Sequence, residues 1–551
     1  MKTIFNFCLI GFFSVLIVFS HDIMAQDLEK SFDEIISAQY KPAEPGAAVL
    51  LAKEGKIIYR KAFGMADLEL GVPMKPEMVF EIGSMTKQFT AVSILMLMEQ
   101  GKLTLEDDIT KYIPDYPTQG YKITIHHLLT HISGIKSYTS MEEWYPILRK
   151  DLQPLELIDI FKNQPMDFAP GEKFLYNNSA YILLGYIIEK ASGQTYETFI
   201  QENIFRPLEL NNTYYGSHTL IIPNRASGYQ KEGDGFMNAE YLSLTQPYAA
   251  GSIMSNVDDL LKWQMAITEN KLVKPETIQK AFTNYTLNNG SPIHYGYGWF
   301  LNEINGSPTI EHGGGIFGYT TNGIWLPKEK VCLLMLTNRD DIQPDNISVR
   351  LAAIAIGKPY DENLEAFPVT SDILQSYTGV YDFEDGATRT ITFEDGKLFS
   401  QRTGSRKMHI IPVSENSFRY EDSFSTIEFF KGEKGIIEAN FSNRVEKYKG
   451  YKTDRVIQTR QAISLEPAQM EPFTGIYDIQ PGFALTITLE SGHLMAQATG
   501  QEKFEIFPET PAKFFLTVVD AQIEFFKNDT GAVEYLILYQ AGQEIKGVRR
   551  L

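Results

Sequence analysis

A serine and a lysine three residues apart are the first residues of this chain whose types and spacing could do chemistry. They are Ser84 and Lys87, and the apolar run from Phe89 to Met98 that follows them predicts a buried helix. At that spacing both side chains lie on one helical face, within mutual reach. A serine is a weak nucleophile until a base takes its proton, and a desolvated neutral lysine can be that base. The free N–H groups at a helix start can also stabilise an oxyanion.

The spacing alone does not identify the nucleophile, because the chain contains a second Ser-x-x-Lys. This copy, Ser133-Gly134-Ile135-Lys136, reads as a glycine-containing turn with a solvated lysine. The segments downstream separate the two copies. After Ser84 come Tyr176-Asn177-Asn178 and then His312-Gly313-Gly314. We therefore take Ser84 as the candidate nucleophile.

The order of these three motifs resembles that of the serine β-lactamase and penicillin-binding-protein superfamily, in which Ser-x-x-Lys precedes Tyr-x-Asn and then Lys/His-x-Gly. The resemblance covers roughly residues 40 to 340 and includes flanking stretches such as Leu128 to Gly134 and Pro170-Gly171. It implies that Ser84 attacks a carbonyl carbon and forms an acyl-enzyme. Lys87 and Tyr176 would share the general-base and general-acid work, with the first proton acceptor left open. Asn178 would hold Lys87 and the substrate amide.

The third motif would supply the substrate-binding edge of the site. The resemblance assigns His312, Gly314 and Gly315 to substrate binding, and it pairs the backbone N–H of Ser84 with one near Gly315 as an oxyanion hole. A competing His-x-Gly begins at His294, but its continuation through Trp299 reads as an ordinary strand. His312 stands where many relatives have lysine. Since a neutral imidazole binds a carboxylate less strongly than an ammonium does, the site favours esters or peptides.

The leading interpretation is an exported serine hydrolase that acts on small D-amino-acid-containing peptides or on esters. A β-lactamase or D,D-carboxypeptidase is the first alternative, and a non-catalytic binding protein whose C-terminal repeats do the work is the second. The expected partner is a small molecule or peptide, and association with the cell wall stays open. The net charge of −19 argues against nucleic acid, since phosphate binding needs clustered Lys and Arg.

No cofactor and no metal are expected. The chain has neither a Gly-rich phosphate loop nor a Gly-x-Ser-x-Gly elbow. His127 and His131 lie four residues apart beside His126, but no acidic third ligand follows in a zincin pattern. Cys8 lies in the leader described next, so the mature chain keeps only Cys332, which excludes an internal disulfide and a thiolate zinc site.

The N-terminus predicts export. Lys2, the apolar run from Ile4 to Phe19 and the small-residue exit at Ala25 form the layout of a secretory signal peptide over residues 1–25. An uncleaved membrane anchor is the rival interpretation, because the run approaches spanning length. We predict cleavage after Ala25, a periplasmic or secreted mature protein, and no membrane span once the peptide is removed.

The fold must bring these residues together in one site, and the order of the secondary-structure elements indicates which fold that is. Strands at the start, helices in the middle and strands again near residue 330 predict an α+β or α/β domain with a mainly antiparallel sheet. The resemblance narrows this to a β-lactamase/transpeptidase-like domain with its sheet flanked by helices. We assign it residues 26–365.

An internal repeat follows that domain. Tyr377 to Tyr381 recurs as Phe473 to Tyr477, and Ile427 to Lys431 recurs as Ile523 to Lys527, at a common shift of 96 residues. Each copy reads as short alternating strands with glycine turns, so we predict two small lipocalin-like all-β barrels over 369–457 and 466–551. β modules after such a hydrolase resemble the layout of D-aminopeptidases.

Overall fold

The computed structural model describes residues 28–360, 366–421, 423–432, 437–457, 460, 462–480, 483–499, 501, 503–540 and 543–550. The predicted signal peptide, residues 1–25, therefore lies outside the described residues. Within the described part, no helix is both long and apolar enough to cross a membrane. The chain divides into two compact units, Met1–Tyr360 and Asp361–Leu551.

The first unit is built on an antiparallel sheet. Its strands are β1 (Ala47–Lys53), β2 (Lys56–Phe63), β3 (Met65–Asp67), β4 (Val72–Pro73), β5 (Phe80–Glu81), β6 (Tyr214–Tyr215), β7 (Tyr229–Glu232), β8 (Gly235–Asn238), β9 (Ile253–Ser255), β10 (Phe300–Ile304), β11 (Ser307–Ile316), β12 (Tyr319–Leu326) and β13 (Val331–Thr337). Six of them form the main sheet in the order β10-β11-β12-β13-β1-β2. Strands β1 and β2 form a hairpin, and Glu54 and Gly55 make its turn with positive φ at both residues, as a tight two-residue turn requires.

Most α-helices of the first unit lie between its first and last strands, with one before β1 and one after β13. They are α1 (28–39), α2 (Thr86–Glu99), α3 (Ile125–Leu129), α4 (Pro154–Phe161), α5 (Asn178–Ser192), α6 (Tyr196–Ile200), α7 (Tyr248–Gly251), α8 (Val257–Thr268), α9 (Pro275–Ala281) and α10 (Asp345–Ala355). Helix α2 is buried along most of its length, as the apolar run predicts, and packs against α5, α7 and α9. It therefore gives a rigid base to the residues at its N-terminus.

One predicted strand is absent. The stretch from Tyr295 to Trp299, expected to be an ordinary strand, is a loop with only an isolated bridge between Tyr295 and Phe300. Gly298 takes a φ of +85°, which breaks an extended chain. Gly296 lies so close to the carbonyl of Ala281 that a Cβ would meet its oxygen at 1.9 Å. The two glycines of this stretch therefore allow the chain to turn and to pack closely against its neighbour.

The second unit contains two closed antiparallel barrels of eight strands each. Barrel one follows α11 (Ser371–Ser376) and consists of β14 (Gly379–Phe383), β15 (Thr388–Glu394), β16 (Lys397–Arg402), β17 (Lys407–Pro412), β18 (Ser417–Tyr420), β19 (Thr426–Lys431), β20 (Ile437–Ser442) and β21 (Lys447–Lys452). Barrel two follows α12 (Pro467–Met470) and consists of β22 (Gly475–Gln480), β23 (Phe483–Glu490), β24 (His493–Ala498), β25 (Lys503–Pro508), β26 (Lys513–Phe515), β27 (Ala521–Lys527), β28 (Val533–Gln540) and β29 (Gln543–Arg549).

The two barrels repeat each other in detail. Tyr381 donates its hydroxyl to the carbonyl of Tyr377 at 2.8 Å, and Tyr477 donates to that of Phe473 at 2.7 Å. These tyrosines lie at equivalent positions of the sequence repeat. The predicted fold class, an antiparallel sheet flanked by helices followed by two all-β barrels, is confirmed.

Candidate active site

Ser84 and Lys87 lie where the chain enters the central helix. Ser84 is in a single 3-10 turn, Gly83–Met85, that leads directly into α2. The turn begins at Gly83 with a φ of +51°, a conformation that side chains other than glycine rarely adopt. Lys87 points back along the helix, and its Nζ lies 3.0 Å from Ser84 Oγ.

The Lys87 side chain is fully buried and has no carboxylate partner among the residues that the structure describes. Besides Ser84, its Nζ contacts Asn178 Oδ1 and the carbonyl oxygen of Ala250, each at 2.9 Å. Burial without a neighbouring negative charge lowers the pKa of Lys87 well below its usual value. A neutral amine has two N–H groups and one lone pair. Since Asn178 Oδ1 and the carbonyl can only accept, the lone pair of the neutral amine faces the Ser84 hydroxyl.

Helix α5 positions the second motif through its N-terminal cap. Asn177 is the N-cap, and its side chain accepts a hydrogen bond from the N–H of Ala180 at 2.9 Å. Asn178 is the first helical residue, so its amide points toward Lys87. The Nδ2 of Asn178 donates to Thr139 Oγ1 at 3.0 Å, which fixes Oδ1 as the atom that faces Lys87.

Tyr176, just before the cap, presents a buried hydroxyl with no hydrogen-bond partner in the described residues. Its ring is only partly buried, and Lys87 Nζ lies 4.8 Å from the ring centroid. Burial raises the pKa of the phenol, whereas the nearby Ser84 hydroxyl opposes that rise. The ring of His131 packs at 4.4 Å between centroids. The phenol is therefore protonated at neutral pH.

The glycines of the third motif lie on a strand edge beside Ser84. Strand β10 pairs with β11 only as far as Glu311, so the residues from His312 to Ile316 have a partner strand on one side alone. Gly83 approaches this edge so closely that a Cβ on it would lie 3.0 Å from the backbone N of Gly315. The edge of β11 therefore faces the turn that carries Ser84.

Gly314 and Gly315 should respond differently to the addition of a methyl group. A Cβ on Gly314 would lie 2.1 Å from the carbonyl oxygen of Ile82, whereas one on Gly315 would meet nothing within 4 Å. We expect Gly314→Ala to lower the free energy of unfolding by about 1–3 kcal/mol and Gly315→Ala by less than about 0.5 kcal/mol. Tryptophan fluorescence in urea measures this difference, because all four tryptophans lie in the first unit. Equal losses for the two variants would contradict this packing.

His312 is not at the surface of the site. Its ring is 2% exposed; Nδ1 donates to the carbonyl of Gly313 at 2.5 Å, and Nε2 lies 3.2 Å from the Tyr295 hydroxyl. Burial lowers the pKa of His312 to about 3, so the imidazole is neutral. Its ring centroid is 6.0 Å from that of Tyr176. The backbone edge of β11, rather than the imidazole, faces the substrate side.

A cavity of about 410 Å³ opens at Ser84. The sequence predictions included Ser84, Asn178 and Gly315 from its lining, but missed the aromatic and aliphatic wall and one acid. The wall consists of Tyr138, Trp144, Leu242 and Phe317, the acid is Asp340, and the lining also includes Thr139. Of these, Thr139 follows the second Ser-x-x-Lys by three residues, a position that the sequence motif does not mark.

The remaining candidates from the sequence have structural partners. Lys136, of the second Ser-x-x-Lys, pairs with Asp167 at 3.0 Å. His126 contacts the Tyr297 hydroxyl at 2.9 Å, and His127 Nδ1 accepts from the backbone N–H of Thr124 at 3.3 Å. Within the described residues, no group of three or more His, Cys, Asp or Glu could hold a metal ion.

Comparison with known proteins matches both parts of the chain. The Beta-lactamase family profile covers residues 27–357, and a domain of unknown function, DUF3471, covers residues 459–549. Penicillin-binding protein 4* of Bacillus subtilis is 30% identical over 434 residues, which are 74% of this chain and 95% of that protein.

Solved structures resemble the same fold. The octameric penicillin-binding protein homologue from Pyrococcus abyssi has a TM-score of 0.55 at 26% identity, over 78% of this chain and 99% of that one. The D-amino acid amidase from Ochrobactrum anthropi SV3, complexed with D-phenylalanine, has a TM-score of 0.54 at 25% identity, over 60% of this chain and 99% of that one. With the family profile spanning most of the first unit, this chain belongs to the Beta-lactamase family of serine hydrolases.

Proposed function

We propose that this protein is an exported hydrolase that forms an acyl-enzyme on Ser84 and cleaves amide bonds of small D-amino-acid-containing substrates, or related esters. The observation that carries the proposal is the buried Lys87 amine, which has no carboxylate partner in the described part of the chain and lies 3.0 Å from Ser84 Oγ. A neutral amine in that position can accept the serine proton directly.

In the first step, Ser84 Oγ attacks the substrate carbonyl carbon and its proton passes to Lys87. The carbonyl π-electrons move onto oxygen, and the resulting oxyanion lies against the backbone of Ser84 and the β11 edge near Gly315. Lys87 is the better base of the two candidates, because burial lowers the pKa of the lysine and raises that of Tyr176.

In the second step, the C–N or C–O bond breaks and the leaving group takes a proton. Tyr176 is the proposed donor, since its buried hydroxyl lies near Ser84 and makes no hydrogen bond within the described residues. Lys87 returns its proton to the phenol. Water then attacks the acyl-enzyme by the same route in reverse and releases the acid and free Ser84.

We expect Tyr176→Phe to separate catalysis from stability. The substitution removes the proton donor, so kcat should fall by about 10²- to 10³-fold. The free energy of unfolding should stay constant or rise by up to about 1 kcal/mol, because the lost hydroxyl is buried without a partner. Steady-state kinetics and urea unfolding test both outcomes. An unchanged kcat would remove Tyr176 from the reaction.

The cavity favours an acyl group that has a large apolar side chain and no free carboxylate. Tyr138, Trp144, Leu242 and Phe317 supply its apolar wall, and no Lys or Arg lies among its described lining residues. A substrate with a free carboxylate, such as a β-lactam, would therefore find no cation there. Asp340 lies in the lining and accepts a hydrogen bond from the N–H of Gly318 at 3.0 Å. Its carboxylate suits the α-ammonium group of an amino-acid amide.

Asp340→Asn tests this choice of substrate. We expect KM for a D-amino-acid amide with a free α-amine to rise by about tenfold, because the ion pair with the ammonium is lost. KM for the N-acetylated amide should stay within about twofold. A similar change for both substrates would show that Asp340 does not bind the amine.

A substrate panel tests the function as a whole. The mature chain from Gln26 would be assayed on D- and L-amino-acid anilides, p-nitrophenyl esters and a chromogenic cephalosporin. We expect turnover of D-anilides or esters to exceed that of the cephalosporin. The reverse order would favour the β-lactamase alternative. Failure of a serine-directed phosphonate to label the folded protein would favour the non-catalytic alternative.

Export and the domain limits are part of the same proposal. We propose cleavage after Ala25, release into the periplasm or medium, a catalytic domain over 26–365, and modules over 369–457 and 466–551. Mass spectrometry of the protein recovered from its native compartment gives the new N-terminus directly. A retained N-terminal segment would favour the anchor interpretation.

A further inference from the structure

The two barrels of the second unit are filled differently at one end of the lumen. Equivalent positions are set by the strand pairing, in which Ile391 faces Ser400 in barrel one and Ile487 faces Ala496 in barrel two. Because alternate residues of each strand point inward, this register identifies which lumen residues correspond. The repeat thus provides an internal comparison between two barrels of the same topology.

Barrel one is plugged by a charged side chain between two aromatic rings. Arg389 is 5% exposed, and its guanidinium carbon lies 4.4 Å from the ring centroid of Phe383 and 4.1 Å from that of Phe441. Ser400 and Tyr420 add a hydrogen bond of 2.8 Å across the same level of the lumen. Side chains therefore fill this end of barrel one.

Barrel two has smaller, uncharged residues at the same positions. Leu485 stands in place of Arg389, and Ile479 and Leu538 stand in place of the two phenylalanines. Ala496 and Leu516 replace the hydrogen-bonded Ser400 and Tyr420. At the level where side chains plug barrel one, barrel two therefore lacks the guanidinium and the three aromatic rings.

A cavity of about 860 Å³ extends from the vacated space in barrel two to the outer face of barrel one, where Phe399, Arg406 and Lys407 line it. Aliphatic residues line its inner part, namely Ile479, Leu485, Ala496, Ala498, Ile523 and Leu538. The lumen beyond them is closed by packed aromatic rings, among them Phe473, Phe514 and Phe525. The volume of the cavity lies within the roughly 300–1,000 Å³ range of small-molecule sites. An eight-stranded barrel is either filled by its own side chains or able to hold one small ligand, and the two barrels represent these two cases.

We propose that barrel two binds one long alkyl chain that ends in a carboxylate, as in a fatty acid. The aliphatic inner lining offers dispersion contacts and burial to methylene groups, each worth about 0.8 kcal/mol. The cavity continues to a loop of barrel one that carries Arg406. This side chain is exposed and has no ion pair within the described residues, so it can meet the carboxylate at the mouth. The alkyl chain enters the lumen and the head remains outside.

Titration of the full mature chain with the fluorescent fatty acid cis-parinaric acid tests the proposal, with displacement by palmitate. We expect saturable 1:1 binding to the wild type. The variant Ile479→Phe/Leu485→Arg/Leu538→Phe rebuilds the plug of barrel one and should bind at least roughly tenfold more weakly. Thr486→Arg, which adds the same side chain at an outward-facing position, should bind like the wild type.

Ala496→Phe gives a second, single-site obstruction if the triple variant does not fold, as judged by circular dichroism. Ser84→Ala should bind the probe as the wild type does, which separates this site from the hydrolase. No saturable binding to the wild type would overturn the proposal. Binding that survives both obstructed variants would overturn it equally.

Discussion

Replacing Ser84 with alanine should lower kcat/KM by at least about 10⁴-fold on every substrate that the wild type cleaves. The reason is that Ser84 Oγ is the hydroxyl that the Lys87 amine contacts at 3.0 Å, in a cavity that opens beside it. Without that oxygen no acyl-enzyme can form. A serine-directed phosphonate should label the wild type once per chain and leave the variant unlabelled, as intact-protein mass spectrometry would show.

Ser133→Ala is the matched control, because Ser133 begins the other Ser-x-x-Lys of the chain. Its lysine, Lys136, is paired with Asp167 at 3.0 Å. We expect this variant to keep wild-type kcat/KM within about twofold. Loss of activity in Ser133→Ala with activity retained in Ser84→Ala would reverse the assignment of the nucleophile.

The order of the motifs predicted from sequence alone that four side chains lie in one site. Ser84 and Lys87 are joined by helix geometry, and Tyr176 and Asn178 by the start of α5. The contact between the two pairs, Lys87 Nζ to Asn178 Oδ1 at 2.9 Å, spans 91 residues of sequence. Neither periodicity nor spacing determines a contact of that range, so only the resemblance to the superfamily predicted it.

Other parts of the site could not be predicted because residue types do not encode them. The carbonyl of Ala250 is a backbone atom, and its contact with Lys87 depends on how α7 packs against α2. Thr139 fixes the orientation of the Asn178 amide from a short 3-10 helix, Tyr138–Ser140, that has no sequence motif of its own. The prediction of a strand over Tyr295–Trp299 was wrong because Gly298 uses its freedom at positive φ for a turn.

The sequence repeat predicted the two barrels correctly. It did not predict that the lumen of one barrel is filled by side chains and that of the other is not, because the residues responsible lie at equivalent places of the same strand pattern. Arg389 and Leu485 occupy the same place in alternating strand segments, where an arginine is usually exposed. Only the structure shows the guanidinium between two rings inside the lumen. A comparison of the inward-facing positions of the two copies would have indicated that contrast.

Replacing Lys87 with methionine should lower kcat by at least about 10³-fold, because it removes the proposed base and keeps the length of the side chain. The wild type should also lose activity as pH falls through the pKa of Lys87 in the folded protein, since a protonated amine cannot accept the serine proton. Burial sets that pKa well below the ordinary value of 10.5. Stopped assays across pH, with buffer overlap, would measure the acid limb.

The same variant separates the titration of Lys87 from its packing. In the unfolded chain the lysine has its ordinary pKa, so between the folded and unfolded values the unfolded state binds one more proton. The free energy of unfolding of the wild type therefore rises with pH there, by up to about 1.4 kcal/mol per unit, relative to Lys87→Met. The variant also loses the contacts of Lys87 to Asn178 and Ala250. This loss changes its free energy of unfolding by an amount that does not depend on pH.

Urea unfolding followed by tryptophan fluorescence, at several values from about pH 10 down to about pH 7, measures this difference. We expect the wild type to lose stability relative to Lys87→Met as pH falls, and the loss to level off below the folded pKa of the lysine. A difference that is constant over this range would mean that Lys87 stays protonated in the fold. The role of base would then pass to Tyr176, the other candidate beside Ser84.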